Sequence, residues 1–338
     1  MSRGRIRVAV LAGGRSSEHA ISLASARSVL EALDPERYEV RQLAIGRDGR
    51  WELGAGEDGS TGERLPMPTE RTPTPLGPVD VVLPILHGPF GEDGTVQGLL
   101  ELAGVPYVGA GVLASALCMD KDVFKRVMRD QGIPVAEHVA LRLGDTIRNP
   151  FGYPVFVKPA RLGSSVGISK VREEAELEPA VELARRHDEK VLVEEFVPGL
   201  EIEVGVLGNL PTPVASLPGR VISHLADWYD YASKYDEGGS ELEIPPAGLS
   251  DAQLERAQQL AVQAFVATEC EGMARADFFV RESDGEIVMN ELNTIPGFTA
   301  TSFYTRLFEA SGTTYVQLLD RLIELALERH ERRSTLQY

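Results

Sequence analysis

The sequence predicts an α/β and α+β protein built from more than one subdomain, and three observations predict it. A chain of 338 residues exceeds what one compact core of ordinary size accommodates, so two or three subdomains are expected. The apolar run Val8–Ala12 ends in Gly13-Gly14 and leads into an amphipathic segment reaching about Leu33. That succession of strand, glycine turn and helix opens a parallel-sheet domain. Gly272–Gly297 alternates with a period of two on both sides of Ser283-Asp284-Gly285, the pattern of an antiparallel hairpin.

Composition narrows the function classes. Hydrophobic residues make up 43% and charged residues 25%, as in a globular protein that folds in water. A net charge of -17 argues against a nucleic-acid surface, which needs clustered Lys and Arg, yet leaves room for one nucleotide held by a few cations. The two cysteines, Cys118 and Cys270, belong to no Cys-x-x-Cys pattern, so buried thiols in a reducing compartment are expected. The apolar run after Arg7 is five residues long, too short for a secretory signal, and no uncharged stretch reaches bilayer length. The expectation is a cytoplasmic protein without membrane contact.

Taken in order, Ser16 or Ser17 is expected to cap the first helix, with Glu18 in its first turn where the helix dipole favours a carboxylate. Two glycines alone do not make the Gly-x-Gly-x-x-Gly of a dinucleotide site. Tyr38–Ile45 reads as a second strand, and the Gly-, Pro-, Thr- and Glu-rich stretch 54–78 as a surface excursion. Val79–Leu86 is a buried strand ending at His87-Gly-Pro-Phe-Gly-Glu-Asp-Gly. Ligands gather at the carboxyl ends of strands in open α/β sheets, so His87 stands at a candidate binding position, although a purely structural histidine fits equally well. Helices are expected over 96–103, 111–119 and from Met119 to about Asp130, with a strand over 105–108.

Phe151–Ala160 reads as a strand that ends in Lys158, followed by the loop Arg161-Leu-Gly163-Ser164-Ser165-Val-Gly167-Ile168. Glycines admit close backbone approach, and hydroxyls with free amides can cradle phosphate oxygens; an ordinary hairpin turn is the alternative. Glu174–Arg186 reads as a helix, Val191–Val197 as a strand carrying Glu194 and Glu195, and Glu201–Leu207 as another with Glu201 and Glu203 on one face. These glutamates suit a hinge gripping an adenine edge and a ribose, or solvated strand edges. The aromatic and polar stretch 225–245 has the profile of a lid loop. Asp251–Glu269 is an amphipathic helix, Ser302–Leu327 closes the chain helically, and the charged tail beyond about Glu328 is expected to fray.

The hairpin carries the sharpest chemistry. With Gly285 in the left-handed position of a three-residue loop, Glu282 faces Glu286, Asp277 opposes Glu291 and Arg275 opposes Asn293. Opposed Cβ atoms lie about 4.5–5.5 Å apart, so two carboxylates and an amide oxygen converge on one face. Such a cluster repels itself without a cation, and oxygen-only ligands at this spacing suit Mg²⁺ shared with phosphates. A solvated polar face is the competing expectation.

Lys158 before a Gly/Ser loop, a strand ending in Glu194-Glu195, and an Asp followed by Glu-x-Asn together resemble the ATP-grasp superfamily. Gly13-Gly14-x-Ser16-x-Glu18, His87-Gly-x-x-Gly-Glu-Asp-Gly, Met119-Asp-Lys121, Lys158-Pro, Gly163-Ser-Ser-Val-Gly167, Asp230-Tyr-x-x-Lys234-Tyr235, Arg275-x-Asp277 and Glu291-x-Asn293-Thr-x-Pro-Gly297 narrow the resemblance to D-alanine:D-alanine ligases, in order from about residue 6 to 325. The resemblance implies a three-subdomain ATP-grasp architecture with a Rossmann-like amino-terminal domain. Residues 1–120 would bind substrate, 121–207 would form the central lid domain, and 208–338 the catalytic domain with the lid loop 225–245.

It also implies ATP-dependent joining of two D-alanine molecules through an acyl phosphate, for peptidoglycan synthesis. Two Mg²⁺, replaceable by Mn²⁺, an optional monovalent cation and a homodimer come with it. Glu18 would bind the ammonium of the first D-alanine in a hydrogen-bonded triad with Ser164 and Tyr235, and His87 would lie beside that subsite. Lys121, Lys158 and Lys234 would contact phosphates, Glu194 the adenine and Glu201 the ribose, with Phe279 among the nucleotide-binding residues. Asp277, Glu291 and Asn293 would hold the metals. Arg275 and the Gly297 amide would stabilise the oxyanion, and Ser302 would receive the second carboxylate. Tyr235, where relatives making D-alanyl-D-lactate often carry His, favours the dipeptide. Another D-amino acid or D-hydroxy acid pair is the alternative, and a nucleotide-responsive binding protein without turnover comes third.

Overall fold

A computed structural model describes residues 4–53, 63–64, 78–223 and 240–337. The first of three sheets contains β1 (Ile6–Gly13), β2 (Tyr38–Ile45), β3 (Trp51–Leu53), β4 (Glu63–Arg64) and β5 (Val81–Ile85), in the order β4-β3-β2-β1-β5. β1 runs parallel to both β2 and β5. It lies between two neighbours, with Val8 to Ala12 at most 1% exposed, and a parallel strand covered on both faces reads as an unbroken apolar run. α1 (His19–Ala32) and α2 (Thr95–Leu102) accompany this sheet, whereas α3 (Val112–Met119) packs through Ala114 and Cys118 into the core of the third sheet. The strand expected over 105–108 is a single bridge, in which Val82 donates to Pro106 O and accepts from Val108 N.

α1 also corrects an expectation. It starts at His19 with Glu18 in the cap position and no side-chain cap hydrogen bond; the Ser16 hydroxyl donates to His87 O at 2.6 Å and accepts from Glu18 N at 3.3 Å, ahead of the helix. The serine therefore ties the first turn to the end of β5.

A central unit follows, with α4 (Lys121–Asp130), β6 (His138–Leu141), β7 (Val155–Pro159), β8 (Ser169–Val171), α5 (Glu174–Arg185) and β9 (Val191–Glu195). Its antiparallel sheet runs β6-β9-β7-β8. Asp120 caps α4 by accepting from Val123 N, as short polar side chains do at helix starts.

The third sheet holds β10 (Gly199–Gly208), β11 (Val214–Ala215), β12 (Gly219–Ser223), β13 (Ser240–Glu243), β14 (Gly272–Arg281) and β15 (Ile287–Asn293), backed by α6 (Asp251–Ala267), α7 (Phe303–Ala310) and α8 (Tyr315–Ser334). β10 pairs with β14 along ten residues. That ladder places Gly199–Gly208 in the carboxy-terminal sheet, although a division after residue 207 groups it with the central unit. Among the described residues no helix is long and apolar enough to cross a membrane.

The cores explain which units are fused. Val8, Val10, Leu83 and Ile85 pack in one cluster with Ile295, Phe298, Tyr304 and the buried leucines of α8. The central sheet has its own cluster with α5. The first and third sheets therefore make one body, to which the central unit is joined through α4, whose Phe124 and Met128 pack into the core of the third sheet, and through the start of β10.

The carboxy-terminal tail does not fray beyond Glu328. Arg329 is 4% exposed and its guanidinium donates to Tyr107 O at 2.7 Å and to Gly109 O, while Arg333 reaches Glu271 and Glu101. An Arg329→Met variant, which strands two buried carbonyls, is expected to lose about 2 kcal/mol of unfolding free energy in urea titration.

Candidate active site

The hairpin β14–β15 builds the site through an irregularity. Near the turn Val280 pairs with Ile287, Phe279 with Val288 and Phe278 with Met289; beyond a bulge, Asp277 pairs with Glu291 and Arg275 with Asn293. The pairs expected at the acidic face are thus formed, but the turn expected to produce them is not. Arg281 N donates to Glu286 O at 2.8 Å and Gly285 N to Arg281 O at 2.8 Å, so the loop spans four residues, 282–285. Glu282 does not face Glu286. Gly285 is left-handed as expected, with φ +72°. Asn290 is the extra residue, and without it every side chain beyond would turn to the opposite face.

On that face Arg275 grips Asp277 with Nε at 2.7 Å and a terminal nitrogen at 2.8 Å, and Asn293 donates to the same carboxylate at 2.9 Å. Glu203 lies opposite Asp277 on β10, fully buried, 3.2 Å from Arg275. Glu291 pairs with Lys121 at 3.1 Å. Carboxylates from three adjacent strands thus share two basic counter-charges. Asp277, Glu291 and Asn293 bring to one face oxygen atoms of the kind a hard divalent cation takes, with both Asp277 oxygens here accepting from Arg275 and one also from Asn293.

Two cavities meet at this patch. One of about 530 Å³ is lined by Glu18, His87, Ser164, Arg275, Gly297 and Ser302 among others. The other, about 180 Å³, lies between the central and third sheets and is lined by Lys121, Lys158, Glu194, Glu201, Phe279 and neighbours. Gly163, Ser164 and Glu291 line both. Asp277 is 3% exposed and lies beneath its two companions rather than in either lining.

In the larger cavity Ser164 donates to Glu18, bridging the central unit to α1. Ser164 and Ser165 both adopt left-handed φ, +51° and +57°, a costly conformation for non-glycine residues that marks a loop held in place for its contacts. Gly88 has φ +74°, and a Cβ there would strike the Glu18 carboxylate. His87 Nδ1 donates to Ile295 O, 2.9 Å away; burial pushes its imidazole below the usual range while Glu18 opposes the shift, which favours the neutral ring. Ser302 accepts from Thr299 N at 2.9 Å, closing the turn that carries Gly297.

In the smaller cavity Lys121 donates to Leu162 O at 2.8 Å and Lys158 to Glu194 at 2.5 Å. Burial pushes the Glu194 carboxyl up, but Lys125 and Lys158 together outweigh it and hold the group at about 2. A carboxyl whose folded pKa lies below its ordinary 4.5 stabilises the fold above that pH and loses its contribution as pH falls toward 2. Acid titration of a Glu194→Gln variant is therefore expected to lack part of the stability loss that the parent chain shows between about pH 4.5 and 2.

Lys234 and Tyr235 lie outside the described residues. Sequence reasoning missed Lys125 and Glu92. Lys125 stands one helical turn after Lys121, a spacing that was visible. Glu92 lies within the quoted His87 motif and lines the larger cavity; burial, then the charge of Glu18, pushes its carboxyl up to about 8. Glu203 was seen beside Glu201, but its partner Arg275 comes from another strand.

A parallel α/β domain, an antiparallel lid sheet and a carboxy-terminal sheet enclosing a lysine- and carboxylate-lined cleft define an ATP-grasp ligase. The chain belongs to the D-alanine–D-alanine ligase family, since the model of the family's N-terminus matches residues 7–110 and that of its C-terminus residues 127–324. It is 46% identical to D-alanine–D-alanine ligase A of Chromobacterium violaceum over 96% of each chain. Among solved structures it resembles the D-alanine-D-alanine ligase from Coxiella burnetii, with 36% identity, 98% and 97% coverage and a TM-score of 0.84. The VanG D-Ala:D-Ser ligase from Enterococcus faecalis is equally similar, at 36% identity, 95% and 99% coverage and 0.84.

Proposed function

We propose that this chain joins two D-alanine molecules into D-alanyl-D-alanine, with cleavage of ATP to ADP and phosphate, for peptidoglycan precursor synthesis. The observation that carries the reading is the junction of the two cavities at Gly163, Ser164 and Glu291. A phosphoryl group leaving a nucleotide in one cavity meets a carboxylate held in the other at that junction.

In this reading ATP occupies the smaller cavity, its adenine near Glu194 and Phe279, its ribose at Glu201 and its phosphates at Lys121, Lys158, Lys234 and the Gly163–Gly167 loop. The carboxylate of the first D-alanine, whose ammonium is held by Glu18 with Ser164, Tyr235 and His87 around it, attacks the γ-phosphate to give an acyl phosphate and ADP. The amine of the second D-alanine, anchored through its carboxylate by Ser302, attacks that carbonyl, and phosphate leaves. Arg275 and the Gly297 amide offset the oxyanion formed in that step, the charge stabilisation that dominates acyl transfer. Asp277, Glu291 and Asn293 would hold Mg²⁺, which when bound neutralises phosphate charge. The Ser164–Glu18 bond and the part of the expected 225–245 lid that precedes β13 would exclude water, which otherwise hydrolyses an acyl phosphate; Ser240–Glu243 belongs to the sheet. The reading extends to a cytoplasmic homodimer.

Phosphate release is expected only with ATP, Mg²⁺ and D-alanine together; equal release with L-alanine, or none with D-alanine, would overturn the reading. The similarity to a D-Ala:D-Ser ligase adds a second arm, with D-serine or D-lactate as acceptor, run on the parent chain and on Tyr235→Phe. D-Alanine is expected to be the preferred acceptor.

A further inference from the structure

We infer that Lys125 is a positioning residue for ATP: it holds one oxygen of Glu194 from beneath, so that Lys158 keeps a net positive charge for a phosphate. The inference rests on the reading of the smaller cavity as the nucleotide site.

Lys121 and Lys125 stand four residues apart on α4, hence on one helix face. Lys121 reaches into the cavity, whereas Lys125 is 0% exposed and is absent from the lining. Its Nζ lies 3.1 Å from Glu194 Oε2, while Lys158 occupies Oε1 at 2.5 Å. Among the described residues Lys125 Nζ makes no hydrogen bond, so this ion pair is its polar contact. Whatever Lys125 does for a ligand, it does through Glu194 and Lys158.

The charges explain what that is. One carboxylate between two ammonium groups leaves a net single positive charge at the cavity floor. Without Lys125, Glu194 and Lys158 neutralise each other, and a phosphate meets a lysine already committed to a carboxylate. Stability alone does not require Lys125, because Glu194 keeps Lys158 as a counter-charge on its other oxygen and is not left as an uncompensated buried charge when Lys125 is removed. Burial, with the charge of Lys158 behind it, pushes the Lys125 ammonium down to about 8 against the opposing pull of Glu194.

The test is steady-state phosphate release by Lys125→Met, Lys158→Ala, Glu194→Gln and the Lys125→Met/Glu194→Gln double variant, with thermal midpoints. Lys125→Met is expected to raise the ATP KM about 10- to 100-fold, the size of a charge-assisted contact, with the D-alanine KM within about twofold and the midpoint little changed. With Glu194 neutral, Lys158 alone restores the parent's single positive charge, so the double variant should show an ATP KM closer to the parent's than Lys125→Met does; a near-parental ATP KM in the double variant is expected even if Lys125→Met alone does not fold. Three outcomes would overturn the inference: an unchanged ATP KM in Lys125→Met beside a raised one in Lys158→Ala, both substrate KM values rising together with a lowered midpoint, or an ATP KM in the double variant raised about 10-fold or more over the parent's. An unchanged ATP KM in Lys158→Ala would overturn the nucleotide-site reading itself, and the inference with it.

Discussion

Replacing Glu291 with Gln is expected to lower kcat/KM for ATP-dependent phosphate release by at least about 10²- to 10³-fold, the cost of losing one preorganised electrostatic group at a site of developing charge. Glu291 lines both cavities, opposes Asp277 across the hairpin and holds Lys121 at 3.1 Å. The substitution keeps the shape and removes the charge. Two effects on folding oppose each other: repulsion from Asp277 is relieved, and Lys121 loses its partner. Unfolding free energy is therefore expected to stay within about 1 kcal/mol of the parent chain. Activity above about a tenth of the parent level would exclude a central role for this carboxylate.

The largest expected effect on stability is Tyr304→Ala, at about 3–5 kcal/mol. The ring is fully buried, packs edge-on against Phe308 at 5.0 Å and against Phe298 at 6.0 Å, and its hydroxyl donates to Val206 O at 3.0 Å. The cluster it fills joins the first sheet to the third, so its loss opens a cavity where no single unit can collapse to fill it. Tyr304→Phe keeps the packing and removes only the hydroxyl, for about 1 kcal/mol. Urea titrations of both variants check the pair. Phe298 adjoins Gly297, so Tyr304→Ala should also raise the D-alanine KM at temperatures where the variant remains folded.

Much of the site was legible because its residues are close in sequence or fixed by periodicity. Alternation together with an assumed three-residue turn places Asp277, Glu291 and Asn293 on one face, and composition marks the glycine and serine loop. The route to the hairpin register was wrong in detail, since a longer turn and a bulge at Asn290 compensate each other. Bulges leave no compositional trace in a single sequence, because almost any residue tolerates that backbone. Lys125 was overlooked for a related reason: a lysine on an amphipathic helix normally snorkels to water, and only the position of β9 shows that this one cannot. The charge of the tail after Glu328 predicts fraying, yet Arg329 is buried because the distant segment carrying Tyr107 and Gly109 offers it two carbonyls.

The sequence by itself did not mark the short strands β4 and β13, but it determined the main helices and long strands, the parallel amino-terminal sheet, the two strands of the acidic hairpin and the family to which their motifs point. These follow from local spacing and apolar periodicity, which are properties of neighbouring residues. Only the tertiary structure decided which charges neutralise which: Arg275 with Glu203 and Asp277, Lys121 with Glu291, Lys125 and Lys158 with Glu194. Each of these pairs is built across strands or helices from distant parts of the chain, and the ionisation of a buried carboxylate depends on partners that folding alone brings within reach.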